Sequence, residues 1–397
     1  MRARKNKTAQ IIWIAFILFW IFNSVHAVHA TSFFEQFIDP YDGKFDASNW
    51  ILSKKGFLPV PIIITEPAVG YGAGAALLFF HPKKNEPYQE QVEQNSQEAS
   101  EKKKPSLPPS ISGVVGLGTE NGTWAAGGFH FGTWKQDRLR YTGGVIYPSV
   151  NLTFYGRGNS PILENGLDYS LKGWFLLQEL IFRLHNSNFF LGPKLIYYNI
   201  DSKFEFNELP IDPWQLNLKS YGLGLKAVYD SRDNIFTPNT GINADISALY
   251  YTVENDLTGS KDYQMIDGTG RFYWQLFSDI ILGWRVHGGF SSGNAPFYTL
   301  PYIDLRGIPA MRYQGENALS TDIETRRNIN ERWSLLFFGG VGRTADSLGD
   351  FSDSKDRWAG GTGFRYLIAR ALGLYSGIDF AWGPEDFVFY FQTGSAW

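Results

Sequence analysis

Asp322, Glu324 and Arg326 stand two residues apart, which puts all three on one face of an extended strand with Thr321 and Ile323 on the other. Carboxylates set out in this way can hold a guanidinium or move protons. Catalysis would need partners that the histidines do not offer in any familiar motif. His26 and His29 precede residue 31, leaving His81, His130, His185 and His287, with no H-E-x-x-H or G-x-S-x-G around them. A lipase built into a barrel wall needs a serine and a histidine side by side on the lipid face, whereas alternation sends His287 inward beside Arg285. Gly70-Tyr71-Gly72-Ala73-Gly74 is not a phosphate loop, because no helix follows it; close packing of a strand explains it. Asn121-Gly122 is a two-residue hairpin turn. These readings speak against an enzyme and imply no cofactor and no metal.

The elements that carry these residues are strands. Downstream of residue 57 the chain alternates in segments of roughly 9 to 15 residues bounded by turn chemistry, the signature of a transmembrane barrel. Ile242, Ala244, Ile246, Ala248 and Tyr250 form one face, and Asn243, Asp245 and Ser247 the other. Tyr221, Leu223, Leu225, Ala227 and Tyr229 alternate likewise with Gly222, Gly224, Lys226 and Asp230. Division at the turn signals predicts sixteen strands, the first at 57–65, the twelfth at 311–327 and the last at 385–397. An even count brings both ends of the sheet to one side of the membrane. Pro59, Pro61 and Pro67 suit only an edge strand or a bulge. The expected fold is therefore all-β, a transmembrane antiparallel barrel of about 16 strands. A soluble sandwich or propeller would not expose so many aromatics on one face.

Composition narrows the setting. Arg2, Arg4, Lys5 and Lys7 precede the apolar run Ile11 to Phe22, and Val28-His29-Ala30 closes it as a signal peptidase site, so residues 1–30 read as a cleaved leader. Ala27 is the alternative cleavage point, and a transmembrane anchor, which needs about 20 apolar residues, is the alternative role. No later stretch is long and apolar enough to cross a bilayer as a helix. Cysteine is absent, so there are no disulfides and no thiolate metal sites. A net charge of −3 gives no reason to expect a nucleic-acid partner. Residues 31–56 form a short pre-barrel segment and 57–397 the barrel. Within it, 82–109 is an inter-strand loop so rich in Lys, Glu, Gln, Ser and Pro that it is expected to be disordered. Strand counting puts it on the periplasmic side.

Three stretches resemble the BamA/TamA family of outer-membrane barrels, the bacterial surface antigens. Leu305-Arg306-Gly307, within Pro301 to Tyr313, is similar to that family's V/L-R-G-aromatic signature. Tyr229-Asp230-Ser231-Arg232-Asp233-Asn234-Ile235-Phe236-Thr237-Pro238, followed by Gly241, resembles its Y-D-x-R-D-N turn. Phe387, Phe389, Phe391 and the terminal Trp397, all of one parity, resemble its C-terminal assembly signal. The turn stretch also has a local reading: Asp233-Asn234, Pro238 and Gly241 supply turn geometry, and Asp230 and Arg232 are placed to pair. Phe154 to Asn159 is similar to a family loop, although a glycine-rich strand end explains it equally well.

The resemblance implies that the extracellular loop after the eleventh strand folds into the lumen and that Arg306 is clasped there by an acid on the inner wall. Desolvation of a guanidinium demands such a partner. The family's usual acid lies in an F-x-D-x-G motif, but here the stretch is Phe338-Gly339-Gly340-Val341-Gly342. Gly340 replaces the aspartate, which leaves Glu324 as the expected partner, Asp322 second and Asp379 third. Relatives that assemble or secrete proteins carry POTRA domains before the barrel, whereas residues 31–56 leave no room for one. A docking role is therefore expected to use a separate periplasmic partner. The other expected partners are outer-membrane lipid and, during biogenesis, the barrel-assembly machinery. The function implied is structural, or assistance to protein or lipid passage or insertion at the outer membrane. A passive diffusion channel is the alternative, since sixteen strands enclose a lumen wide enough for water; a lipid-modifying enzyme is the remote one.

Overall fold

The computed structural model describes residues 35–53, 57–81, 110–157, 166–204, 215–255 and 261–397. The leader and segment 82–109 lie outside them. Sixteen strands form one sheet whose order follows the chain. The first eight are β1 (Phe57–Ile64), β2 (Gly72–His81), β3 (Ser110–Thr119), β4 (Trp124–Trp134), β5 (Leu139–Phe154), β6 (Leu167–Arg183), β7 (Phe189–Phe204) and β8 (Gln215–Asp230). There follow β9 (Gly241–Asn255), β10 (Lys261–Gln275), β11 (Ile280–Gly293), β12 (Asn317–Asn328), β13 (Trp333–Ala345), β14 (Arg357–Ala369), β15 (Leu374–Trp382) and β16 (Phe387–Thr393). The sheet curls until β1 meets β16, giving a nearly closed antiparallel barrel. At that seam the Tyr71 ring stacks on Phe389 with centroids 5.8 Å apart. The prolines at 59 and 61 thus occupy an edge strand, where a missing N–H is tolerated.

Alternation sets the two faces. Tyr221, Leu223, Leu225, Ile246 and Tyr250 are exposed on the outside, while Ser220 and Ser247 are buried inside. Trp124 and Trp134, at the two ends of the 11-residue β4, both point outward. At about 3.3 Å per residue and a tilt of about 40° they bracket roughly 25 Å, the height of a lipid-facing band. The inner face is less uniformly polar than alternation suggests. Toward the end opposite the chain's entry and exit, hereafter the top, Tyr198, Ile200, Leu218, Leu249, Tyr251, Val253 and Tyr263 form an apolar cluster that takes Tyr298 from the loop after β11.

The twelfth strand begins at Asn317 rather than 311, because Met311 to Glu316 are the returning limb of that loop. The sixteenth ends at Thr393 rather than at the terminus. Residues 35–53 and 368–372 make a separate small unit with helix α1 (Ser48–Ser53). In it Arg370 pairs with Asp39 at 2.7 Å and Asp42 at 2.9 Å, and its backbone N–H donates to Asp46.

Candidate functional site

The loop between β11 and β12, residues 294–316, is folded inward. A 3-10 turn at Phe297–Thr299 starts it, with Phe297 packed on Tyr169 at 4.9 Å, Phe204 at 5.0 Å and Phe154 at 5.1 Å. The buried Gln314 amide donates to the Phe297 carbonyl at 3.0 Å, tying the two limbs together. Between them Ile303, Leu305 and Ile308 make a buried cluster with Ala359 and Tyr313. Arg306-Gly307 forms the bend. Gly307 has φ +99° and its N–H donates to the Tyr390 hydroxyl, a conformation that a Cβ would strain.

Arg306 lies at the centre of this arrangement. One guanidinium nitrogen donates to Asp379 Oδ2 at 2.8 Å, and the other stands 2.7 Å from Glu324 Oε2. The first is a full hydrogen bond; the second is an ion pair by proximity, its N–H not aligned on the oxygen. The plane of the guanidinium covers the Phe338 ring at 3.7 Å. Asp379, fully buried, is also gripped by Arg365 through contacts of 2.6 and 2.9 Å. Two arginines and two carboxylates thus balance in charge, which buried ions require. Asp322 does not touch Arg306 within hydrogen-bonding distance. It holds Arg285 at 2.7 Å, and Arg285 reaches the loop through Asp304 at 2.9 Å. The loop therefore presents an acid and a base two residues apart, each met by the opposite charge on the wall.

Gly340 explains why the acid comes from elsewhere. A Cβ at that position would lie 2.6 Å from Asp322 Cβ and 2.8 Å from Leu305 Cδ2, so an aspartate has no space while the loop is seated. Glu324 on β12 and Asp379 on β15 reach the same arginine from other strands.

The Y-D-S-R-D-N stretch closes the opposite end of the lumen, the base. Asp230 accepts two hydrogen bonds from Arg232, at 2.9 and 3.2 Å, and one from Arg140 at 2.9 Å. Asp233 accepts from the Asn239 and Thr240 amides, and Asn234 from those of Phe236 and Thr237. Pro238 is fully buried, and its carbonyl accepts from Arg326 of β12. Gly241, φ +109°, is where a Cβ would meet the Ser231 carbonyl at 2.4 Å.

Phe387 and Phe391 are exposed on the outward face, with Phe389 between them at the seam. Trp397 is not with them. Gly394, at φ +86°, turns the chain inward after β16, and its N–H donates to the Tyr375 carbonyl while that of Ser395 donates to Phe236. The indole comes to rest against Gly283, where a Cβ would stand 2.8 Å away, with its ring 6.0 Å from Tyr273. Gly283 pairs with Glu324, so the last residue of the chain lies beside the acids of the Arg306 cluster.

No family model matches the sequence, and neither does any curated protein. Solved structures do match. BamA from Haemophilus ducreyi, lacking POTRA domains 1-3, is similar over 86% of this chain and 70% of its own, at 13% identity and a TM-score of 0.52. Its fold is that barrel. The chain also shares the BamA-type barrel with CdiB from Acinetobacter baumannii (10% identity, 85% of this chain, 59% of that one, TM-score 0.50). CdiB from Escherichia coli matches at 9% identity over 84% of this chain and 61% of its own, with a TM-score of 0.53. The chain thus spans less than two thirds of either CdiB.

Sequence reasoning missed three things. Arg365 and the Arg285–Asp304 contact could have been sought as inward charges without a partner. The direction of Trp397 could not be read from parity. A third feature sits on the outer wall, where His81 Nε2 and His130 Nδ1 each lie 2.8 Å from the Ser112 hydroxyl. The rule applied to His287 would have found it if applied to β2, β3 and β4.

Proposed function

We propose that this protein is an integral outer-membrane barrel of the BamA/TamA type, exported through its leader, whose inward loop is clasped by Arg306 and which assists the passage or insertion of protein or lipid at that membrane. The observation that carries this reading is the pinned loop, with Arg306 between Glu324 and Asp379 and Asp304 on Arg285. A loop seated in this way takes up space that an open pore would leave to water. A docking partner on the periplasmic side, supplied as a separate chain, and recognition of Phe387, Phe389 and Phe391 by assembly machinery belong to the same reading.

The lumen supports it over a diffusion channel. Loop 294–316 enters from the top, while residues 231–240 and 394–397 enter from the base. Conductance of the purified protein in a planar bilayer tests the choice. Wild type is expected to show no large steady open state, and Arg306→Ala to show frequent openings as the loop is released. A large steady conductance in wild type would establish the channel instead.

A further inference from the structure

The outer wall of β2, β3 and β4 carries the second arrangement with chemical capacity. Ser112 pairs across the sheet with Phe79 on β2 and His130 on β4, and His81 lies two residues beyond Phe79. These positions share the outward parity of Leu77, Val114 (51% exposed) and Trp134 (40% exposed), so the cluster faces lipid near the base. The two imidazoles are 5.4 Å apart with the hydroxyl between them; His130 stacks on Trp134 at 5.8 Å and His81 meets the edge of Phe79 at 4.9 Å. Tyr141, in contact with His130, donates its hydroxyl to Gln178, extending the polar row.

Polar and ionisable groups on a lipid face are costly, and anchoring at the interface is already served by Trp134. A serine hydroxyl has one proton. Where one imidazole accepts it and the other donates its N–H to the oxygen, the group is a nucleophile with a base in contact. Above the cluster, beyond the apolar row of Leu77, Val114 and Gly128, the same face is bare: Ala75, Gly116 and Ala126 lie side by side across three strands, and a Cβ on Gly116 would meet nothing within 4 Å. That smooth strip gives an acyl chain a place to lie along the wall, with its ester end at the level of Ser112.

We propose that Ser112, His81 and His130 form an acyl-transfer site that cleaves the carboxylic ester of a glycerophospholipid approaching sideways from the bilayer. Ser112 Oγ bonds to the ester carbonyl carbon as its proton passes to His81 Nε2. The bond from that carbon to the glycerol oxygen breaks, and the oxygen takes the proton from His81. Water then adds to the acyl-serine, giving its proton to His81; the Ser112 oxygen leaves and recovers that proton, and a fatty acid departs. The balance is ester plus water to fatty acid plus lysophospholipid. His81 is assigned as the base because it is the last residue of β2, at the watery end of the wall. His130 turns its N–H from the serine oxygen to the oxyanion.

The test uses the full-length barrel in vesicles of phosphatidylethanolamine and phosphatidylglycerol carrying a labelled acyl chain, together with a fluorophosphonate probe located by mass spectrometry. Fatty acid should be released, and Ser112→Ala and His81→Asn should each lower the rate by at least about 100-fold, with a smaller loss for His130→Asn. The probe should form its adduct on Ser112 of the wild type, a readout that stands even if the alanine variant folds poorly. Absence of the adduct, absence of release above protein-free vesicles, or equal release by wild type and a folded Ser112→Ala would each overturn the proposal.

Discussion

Asp379 accepts from Arg306 and Arg365 at once and has no exposed surface, whereas Glu324 touches Arg306 without a formed hydrogen bond. The two acids are therefore unequal. Asp379→Asn should destabilise the barrel by about 3–5 kcal/mol, the cost of stranding a buried partner, and Glu324→Gln by clearly less, both read from urea or thermal unfolding followed by gel mobility. Equal losses would contradict the ranking. Arg306→Lys should rescue only part of what Arg306→Ala loses, since an ammonium cannot serve two carboxylates in the plane that also covers Phe338. The Glu66 carboxylate accepts from the Ala310 amide at the loop's return. Burial pushes its carboxyl above the usual value, outweighing the amide hydrogen bonds from Ala310 and Ala68. The folded protein then holds the proton to higher pH than the unfolded chain. The contribution of Glu66 to stability is fully present below the ordinary carboxylate value and is lost as pH rises through the raised one. Glu66→Gln keeps the acceptor and removes the buried charge, so it should stabilise the fold near neutrality and flatten that slope. Melting curves taken between about pH 4 and 7 check it; an unchanged slope would remove Glu66 as its source.

The strands were legible because lipid and lumen impose opposite preferences on alternate residues, and β3, β5 and β8 begin within about a residue of where alternation begins. Alternation failed where the chain leaves the wall but keeps its pattern. Met311 and Tyr313 continue the parity of β12, yet Tyr313 packs against the buried cluster of Ile303, Leu305, Ile308 and Ala359. Trp397 shares the parity of Phe387, Phe389 and Phe391, but the left-handed Gly394 reverses its direction, and parity carries no information about φ. The inward charges were legible as a set and not as pairs. Glu324, Asp322 and Asp379 could be named from alternation, but which guanidinium each one meets depends on the height of the loop in the lumen. Deleting Trp397 should lower the unfolding temperature and slow refolding in detergent, because the indole packs against Gly283 and Tyr273. Because Phe387, Phe389 and Phe391 stay in place in that variant, assembly in cells should slow no more than refolding does. A further slowing seen only in cells would give Trp397 a part in recognition besides packing.

The barrel is a wall whose lumen is entered from both ends by its own loops, and the clasp requires loop 294–316 to be seated there in the membrane. The absence of cysteine allows a direct measurement. A Cβ on Gly342 would lie 3.3 Å from that of Ile303, close to the separation in a disulfide. The double variant Ile303→Cys with Gly342→Cys, expressed in cells and oxidised, is predicted to lose both free thiols and to yield a cross-linked peptide on digestion. Each single variant should keep its thiol. If a folded, heat-modifiable double variant keeps both thiols open to alkylation and forms no cross-link, the loop is not in the lumen and the clasp is wrong.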